Sequence, residues 1–156
     1  MKRSYIAAAG LTIPENTVFA DIDFEHESLL DGLLRYNVSM NEPTFFSWLG
    51  VTMYLKEDAI DAVLRSVAMF PADSEIVLTF VQPPGDSPSP LAQRVANLGE
   101  PWVSCFAPYA LKAKLLGVGF SKVKFLSPAE AEAWYFRQRP KDLPAPRQIN
   151  ILCAVR

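Results

Sequence analysis

The sequence predicts an α/β domain in which helices layer against a sheet. Two observations lead there. Short β-branched and aromatic runs alternate with segments of helical apolar spacing, and the element type switches all along the chain. Composition agrees. With 50% hydrophobic residues, 21% charged residues and a net charge of −2, these 156 residues suit a packed core, and neither disorder nor polyanion binding. The length fits one domain, residues 1–156.

The elements follow in order. Lys2 to Ala9 reads as a short helix stopped at Gly10, where a left-handed residue is cheapest. Thr17 to Ile22 reads as a first strand, and Ser28 to Tyr36 as a helix with Leu29, Leu30, Leu33 and Leu34 on its apolar side. The apolar run Thr44 to Leu49, ended by Gly50, has the character of a central strand covered on both faces. Lys56 to Phe70 is an amphipathic helix, with Ile60, Val63, Leu64 and Val67 set against Asp58, Asp61 and Arg65. Glu75 to Val81 is a buried strand, and the proline cluster Gln82 to Pro90 is a loop. A helix from Pro108 to Leu116, a turn at Gly117-Val118-Gly119 and a strand from Phe120 to Leu126 come next. Ser127-Pro128 opens a helix running to about Arg139. A second proline cluster, Pro140 to Pro146, leads to a last apolar strand, Gln148 to Val155.

Cys105 and Cys153 are too few for a disulfide framework, and no cysteine–histidine spacing suggests zinc. The apolar run after the basic start is too short for a signal-peptide core, and no stretch approaches the ~20 apolar residues that span a bilayer. These features predict a soluble, cytoplasmic protein without a membrane or nucleic-acid partner.

In open α/β sheets ligands bind beyond the carboxyl ends of the strands, which directs attention to Asp23-Phe24, Trp48 to Tyr54, and Gln82 onward. Asp21 to Glu27 is the densest polar group. Its carboxylates either accept from a purine amine or form a solvated loop that favours a helix N-terminus. His26, the only histidine, has no neighbour with which to bind metal. In Ser47 to Leu55, Gly50 admits close backbone approach, Trp48 or Tyr54 can line a pocket, and Thr52 offers a hydroxyl; Met53 and Leu55 read as core. No nucleophile elbow, dinucleotide fingerprint or Walker loop occurs. Cys105, close after Trp102, is either a reactive thiol or a buried, inert cysteine, and burial is the ordinary outcome.

Asp23-Phe24 after a strand, the run Pro43 to Leu55 with its G-V-T-M-Y-L string, the Glu75 to Phe80 strand and Gly99-Glu100-Pro101-Trp102 together resemble one family. It is the S-adenosylmethionine-dependent methyltransferase family related to leucine carboxyl methyltransferases. The resemblance implies the class I methyltransferase variant of the doubly wound sheet, with its last strand antiparallel. It implies S-adenosylmethionine as cofactor, with Asp23 and Phe24 at the adenine and Trp48, Leu49 and Gly50 toward the methionine portion. Thr52 and Tyr54 then fall on the acceptor side, the acceptor being a small-molecule hydroxyl or a carboxylate. No catalytic residue is assigned. Many relatives carry glutamate where Leu49 stands.

The family's glycine-rich loop and ribose-binding acid lie upstream of the Lys2 to Gly10 helix. The chain is therefore expected to be the C-terminal portion of the fold, incomplete at the N-terminus, weakly active or inactive alone, and with two apolar strand edges unpaired. A homodimer or a complementing chain would cover them. The alternative is a non-catalytic α/β module that oligomerises or binds a protein through those edges.

Overall fold

A computed structural model describes residues 2–85, 89–139 and 149–156. The second proline cluster and Gln148 lie outside the described residues. The sheet has four strands: β1 (Phe45–Trp48), β2 (Glu75–Val81), β3 (Lys122–Phe125) and β4 (Ile149–Val155), in the order β1-β2-β4-β3. β1 and β2 are parallel, and β4 runs antiparallel to both β2 and β3. The last strand is thus inserted against the grain of the sheet, as expected.

One face of the sheet carries the core. The register aligns Trp48 with Leu78 and Leu78 with Leu152, and it aligns Ile76 with both Phe46 and Ala154. Side chains two apart on a strand share a face, so these residues form a continuous apolar surface. Helices α3 (Glu57–Val67) and α5 (Pro108–Val118) close it with Ile60, Val63, Leu64, Val67, Leu111 and Leu115, all buried. Lys114 fastens α5 to α3 through Asp61 at 2.6 Å. Gly119, at φ +112°, ends α5 in the left-handed region that a side chain resists.

Helices α1 (Lys2–Ala8) and α2 (Leu29–Arg35) fall where the spacing placed them, with Ser28 capping α2 through the amide of Asp31. Gly10 takes φ +68°. Ser127 caps α6 (Pro128–Ala131) in a reciprocal capping box with Glu130, and the chain continues through a π turn over Glu132–Phe136.

Three expectations are corrected. Thr17 to Ile22 is not a strand. Its β propensity has no ladder to join among the described residues, and the segment docks on α2 instead. Arg35 Nη2 donates to the Asp21 carbonyl at 2.8 Å, and Ile22 occupies the space that a Cβ on Gly32 would need. Second, Thr44 to Leu49 is not a central strand covered on both faces: β1 is an edge of the described sheet, pairing only with β2, and Phe45 is 63% exposed. Third, the proline cluster does not remain a loop through Pro90. Ser89-Pro90 starts α4 (Pro90–Asn97), with the Ser89 hydroxyl accepting from the amide of Ala92. This helix buries none of its residues.

Candidate functional site

The carboxyl ends of β1 and β2 lie side by side, and three segments gather around them. The first is the turn at Asp23. The Asp23 carboxylate accepts from the amide of Glu25 at 3.0 Å and meets His26 Nδ1 at 2.9 Å. The amide hydrogen bond first, and the histidine second, hold its pKa below the ordinary carboxylate value. Glu27 accepts from the Asp23 amide and from Arg35, whose guanidinium is the main cause of its own lowered pKa. Glu25 accepts from the amide of Lys56 at the start of α3, which lowers its pKa in turn. Of the acids in this loop, Glu25 favours a helix N-terminus, that of α3 and not the adjacent α2, while Asp23 and Glu27 bond within the loop and to Arg35. The Asp23 side chain remains turned to solvent.

Phe24 anchors that turn. Its ring meets Trp48 edge-on, with centroids 6.0 Å apart. Trp48 itself is buried, and its indole Nε1–H has no protein partner among the described residues. A buried donor without an acceptor is costly.

The second segment is the turn after β1. Gly50 adopts φ +72°, and nothing lies within 4 Å of where its Cβ would stand. Its amide donates to Thr79 Oγ1 at 2.7 Å, while Thr52 Oγ1 donates to the Thr79 carbonyl at 2.6 Å. Thr52 is thus a buried strut, its proton committed to β2. Leu49 is half exposed, and Tyr54 reaches the surface in a cleft shared with Gly99, Glu100, Pro101 and Val103.

The third segment follows β2. Val103 also borders a second, more enclosed pocket of about 240 Å³ formed by Gln82, Ser89, Ala92, Gln93, Trp102 and Cys105. One wall of this pocket is stitched to the turn after β1. The Val103 amide donates to the Met53 carbonyl, Ser104 Oγ donates to the Leu55 carbonyl, and the Phe106 amide donates to the Val81 carbonyl. The opposite wall is α4.

The structure therefore brings Phe24 and Trp48 together, seats Gly50 beside Thr79 and opens Tyr54 to a cleft. Sequence reasoning missed Thr79, which supports both Gly50 and Thr52, and the pocket residues beyond Gln82. Ser89-Pro90 was a legible cap signal for α4, the same pair that opens α6 at Ser127-Pro128.

Comparison with known proteins bears on this arrangement. Residues 1–68 match the family model for leucine carboxyl methyltransferase. The chain is 28% identical over 164 aligned positions to the Bacillus subtilis (strain 168) protein named "Putative S-adenosyl-L-methionine-dependent methyltransferase YktD". That alignment covers all of this chain and 54% of the relative, so the chain spans about half the relative's length. Among solved structures, the S-adenosylmethionine-dependent methyltransferase SibL in its apo form superposes with a TM-score of 0.56 at 13% identity, over 99% of this chain and 39% of that one. Human N-acetylserotonin methyltransferase, solved in complex with its cofactor, superposes with a TM-score of 0.53 at 12% identity, over 97% and 37%. At such identities the superpositions speak for the fold alone. By fold the chain is a class I methyltransferase-like α/β sheet, and over residues 1–68 its sequence matches the leucine carboxyl methyltransferase family.

Proposed function

We propose that this chain contributes a cofactor edge and an acceptor pocket to an S-adenosylmethionine-dependent O-methyltransferase. The observation that carries the reading is the convergence of the Asp23 turn, the Trp48–Gly50 turn and the Gln82–Cys105 pocket at the carboxyl ends of two neighbouring parallel strands. Ligands of open α/β sheets bind at such ends.

The residues present fit the cofactor in kind. Asp23, held ionised and turned to solvent, offers acceptor oxygens to an exocyclic amine. Phe24 keeps that turn in place by packing edge-on against the buried Trp48 ring. Leu49 gives an apolar face toward the methionine portion, and the open space at Gly50 admits close approach of the backbone. When bound, the cofactor supplies an activated methyl group on a sulfonium. The protein's part is to orient an acceptor oxygen in line with it, a contribution of position more than of covalent chemistry. Tyr54 borders the acceptor side, while Thr52 supports the site from below. Because the chain spans about half of YktD, the activity of the whole relative is not assigned to these residues alone.

Calorimetric titration with S-adenosylhomocysteine tests the reading. Saturable heat is expected, with at least about tenfold weaker affinity in Asp23→Ala, the size of one lost charged hydrogen bond. No heat at millimolar ligand would defeat it.

A second reading draws on a different observation. The outer edge of β1 has no strand beside it among the described residues, and Phe45 stands exposed there. An open apolar edge favours pairing with a second copy or a complementing chain. A monomer whose sedimentation is independent of concentration would count against homodimerisation.

A further inference from the structure

We infer that the pocket after β2 selects a neutral, hydroxyl-bearing aromatic ring as its occupant, and excludes a carboxylate. The inference rests on the proposed reading of this pocket as the acceptor side, and narrows it from carboxyl or hydroxyl to hydroxyl.

Three observations carry it. First, among the described residues the lining is neutral: carboxamides at Gln82 and Gln93, hydroxyls at Ser89 and Ser104, an indole at Trp102, a thiol at Cys105, and the apolar surface of Pro84, Ala92 and Val103. The charged residues next in sequence, Arg94 and Glu100, do not line it, and Glu100 borders the adjoining cleft, where its sign opposes an anion. Moving a carboxylate into such a place strips its hydration without a cation in return. A phenol enters as a neutral group.

Second, the polar groups of the lining are neutral and mixed. Gln82 Nε2 gives one of its two N–H groups to Asn150 Oδ1 at 3.1 Å, and the Ser104 hydroxyl proton is committed to the Leu55 carbonyl. The carboxamides of Gln82 and Gln93 present acceptor oxygens together with N–H donors, which matches a hydroxyl that both donates and accepts; a carboxylate has no proton to give at neutral pH and leaves those acceptors unpaired.

Third, the size fits. An apolar cavity of ~150 Å³ holds benzene, and this pocket of about 240 Å³ takes a substituted or two-ring aromatic lying against Trp102. In the methyl transfer the acceptor oxygen would gain the C–O bond and release its proton to water. The sulfonium S–CH₃ bond would break to leave a neutral thioether.

The pair 2-naphthol and 2-naphthoate shares one ring system and differs in the group at issue. Cys105 is not buried, the ordinary outcome for its sequence context, but exposed at the pocket, so its alkylation by iodoacetamide, read by mass spectrometry on the intact chain without cofactor, reports occupancy. The expected result is several-fold slower alkylation of Cys105 with 2-naphthol. Equal protection by 2-naphthoate should need about tenfold or more higher concentration. Ala92→Trp, a filling change on a helix that buries none of its residues, should abolish protection relative to its own unliganded rate, with the fold unchanged by circular dichroism. Equal protection by the two compounds, no protection at Cys105, or protection that persists in Ala92→Trp would each overturn the inference. Since no cofactor is present, this assay and the S-adenosylhomocysteine titration fail independently.

Discussion

The turn after β1 and the turn after β2 leave the same edge of the sheet, yet they are built oppositely. The first, from Leu49 to Leu55, is tied down at every step. Gly50 and Thr52 bond Thr79, Met53 and Leu55 accept from the 103–104 segment, and Thr52 and Met53 are buried. The second carries α4, which is capped by Ser89 but buries nothing. A rigid turn beside an adaptable one suits a site that must hold one ligand in a fixed pose while accommodating another.

The largest expected effect comes from paired truncations in the two turns. Met53→Ala, at a site 2% exposed, should lower unfolding stability by about 2–5 kcal/mol in chemical denaturation. Leu98→Ala, just after α4 and 74% exposed, should stay within about 0.5 kcal/mol. Equal losses would erase the contrast between the turns.

Next in size, Gly50→Ala meets open space but retains a left-handed backbone at φ +72°, so its penalty is conformational, about 1–2 kcal/mol. A neutral result would mean that the turn readily adopts another backbone. Ser89→Ala should cost about 1 kcal/mol, confined to α4. Hydrogen exchange should quicken over residues 90–97 while the global unfolding midpoint stays put; a shifted midpoint would show that α4 belongs to the cooperative core.

The smallest effect concerns acid. Asp23, Glu25 and Glu27 have pKa values lowered in the fold, so the stability they confer is present above their ordinary values, near about pH 4. It is lost as pH falls through the folded values. Glu27→Gln should flatten the acid limb of a stability–pH curve below about pH 4 and leave neutral pH behaviour of that limb unchanged in slope. An unaltered acid limb would remove the Glu27–Arg35 contact from the account.

Legibility from sequence followed the same divide. The helix α3 and the strands β2 and β4 were readable because each buries its apolar pattern against partners in the chain; Ile60, Leu64, Ile76 and Leu152 sit where their periodicity put them. Thr17 to Ile22 has an equally strandlike composition, but a strand is a pairing, and propensity carries no information about whether a ladder is present. The Asp23 turn and the G-V-T-M-Y-L string were legible as words. Their internal economy was not: the role of Thr79 depends on a 29-residue separation from Gly50 that only the fold closes. The pocket joins Gln82 to Trp102 and Cys105 across α4 for the same reason.

The central claim, that the carboxyl edge beside Asp23 and Trp48 is a cofactor surface, is tested most directly by amide and indole NMR shifts during titration with S-adenosylhomocysteine. The account predicts perturbations concentrated at residues 23–27 and 48–50, with the buried Trp48 indole N–H shifting through its ring contact with Phe24. Shifts confined to other surfaces, or an unmoved Trp48 indole at saturating ligand, would contradict it.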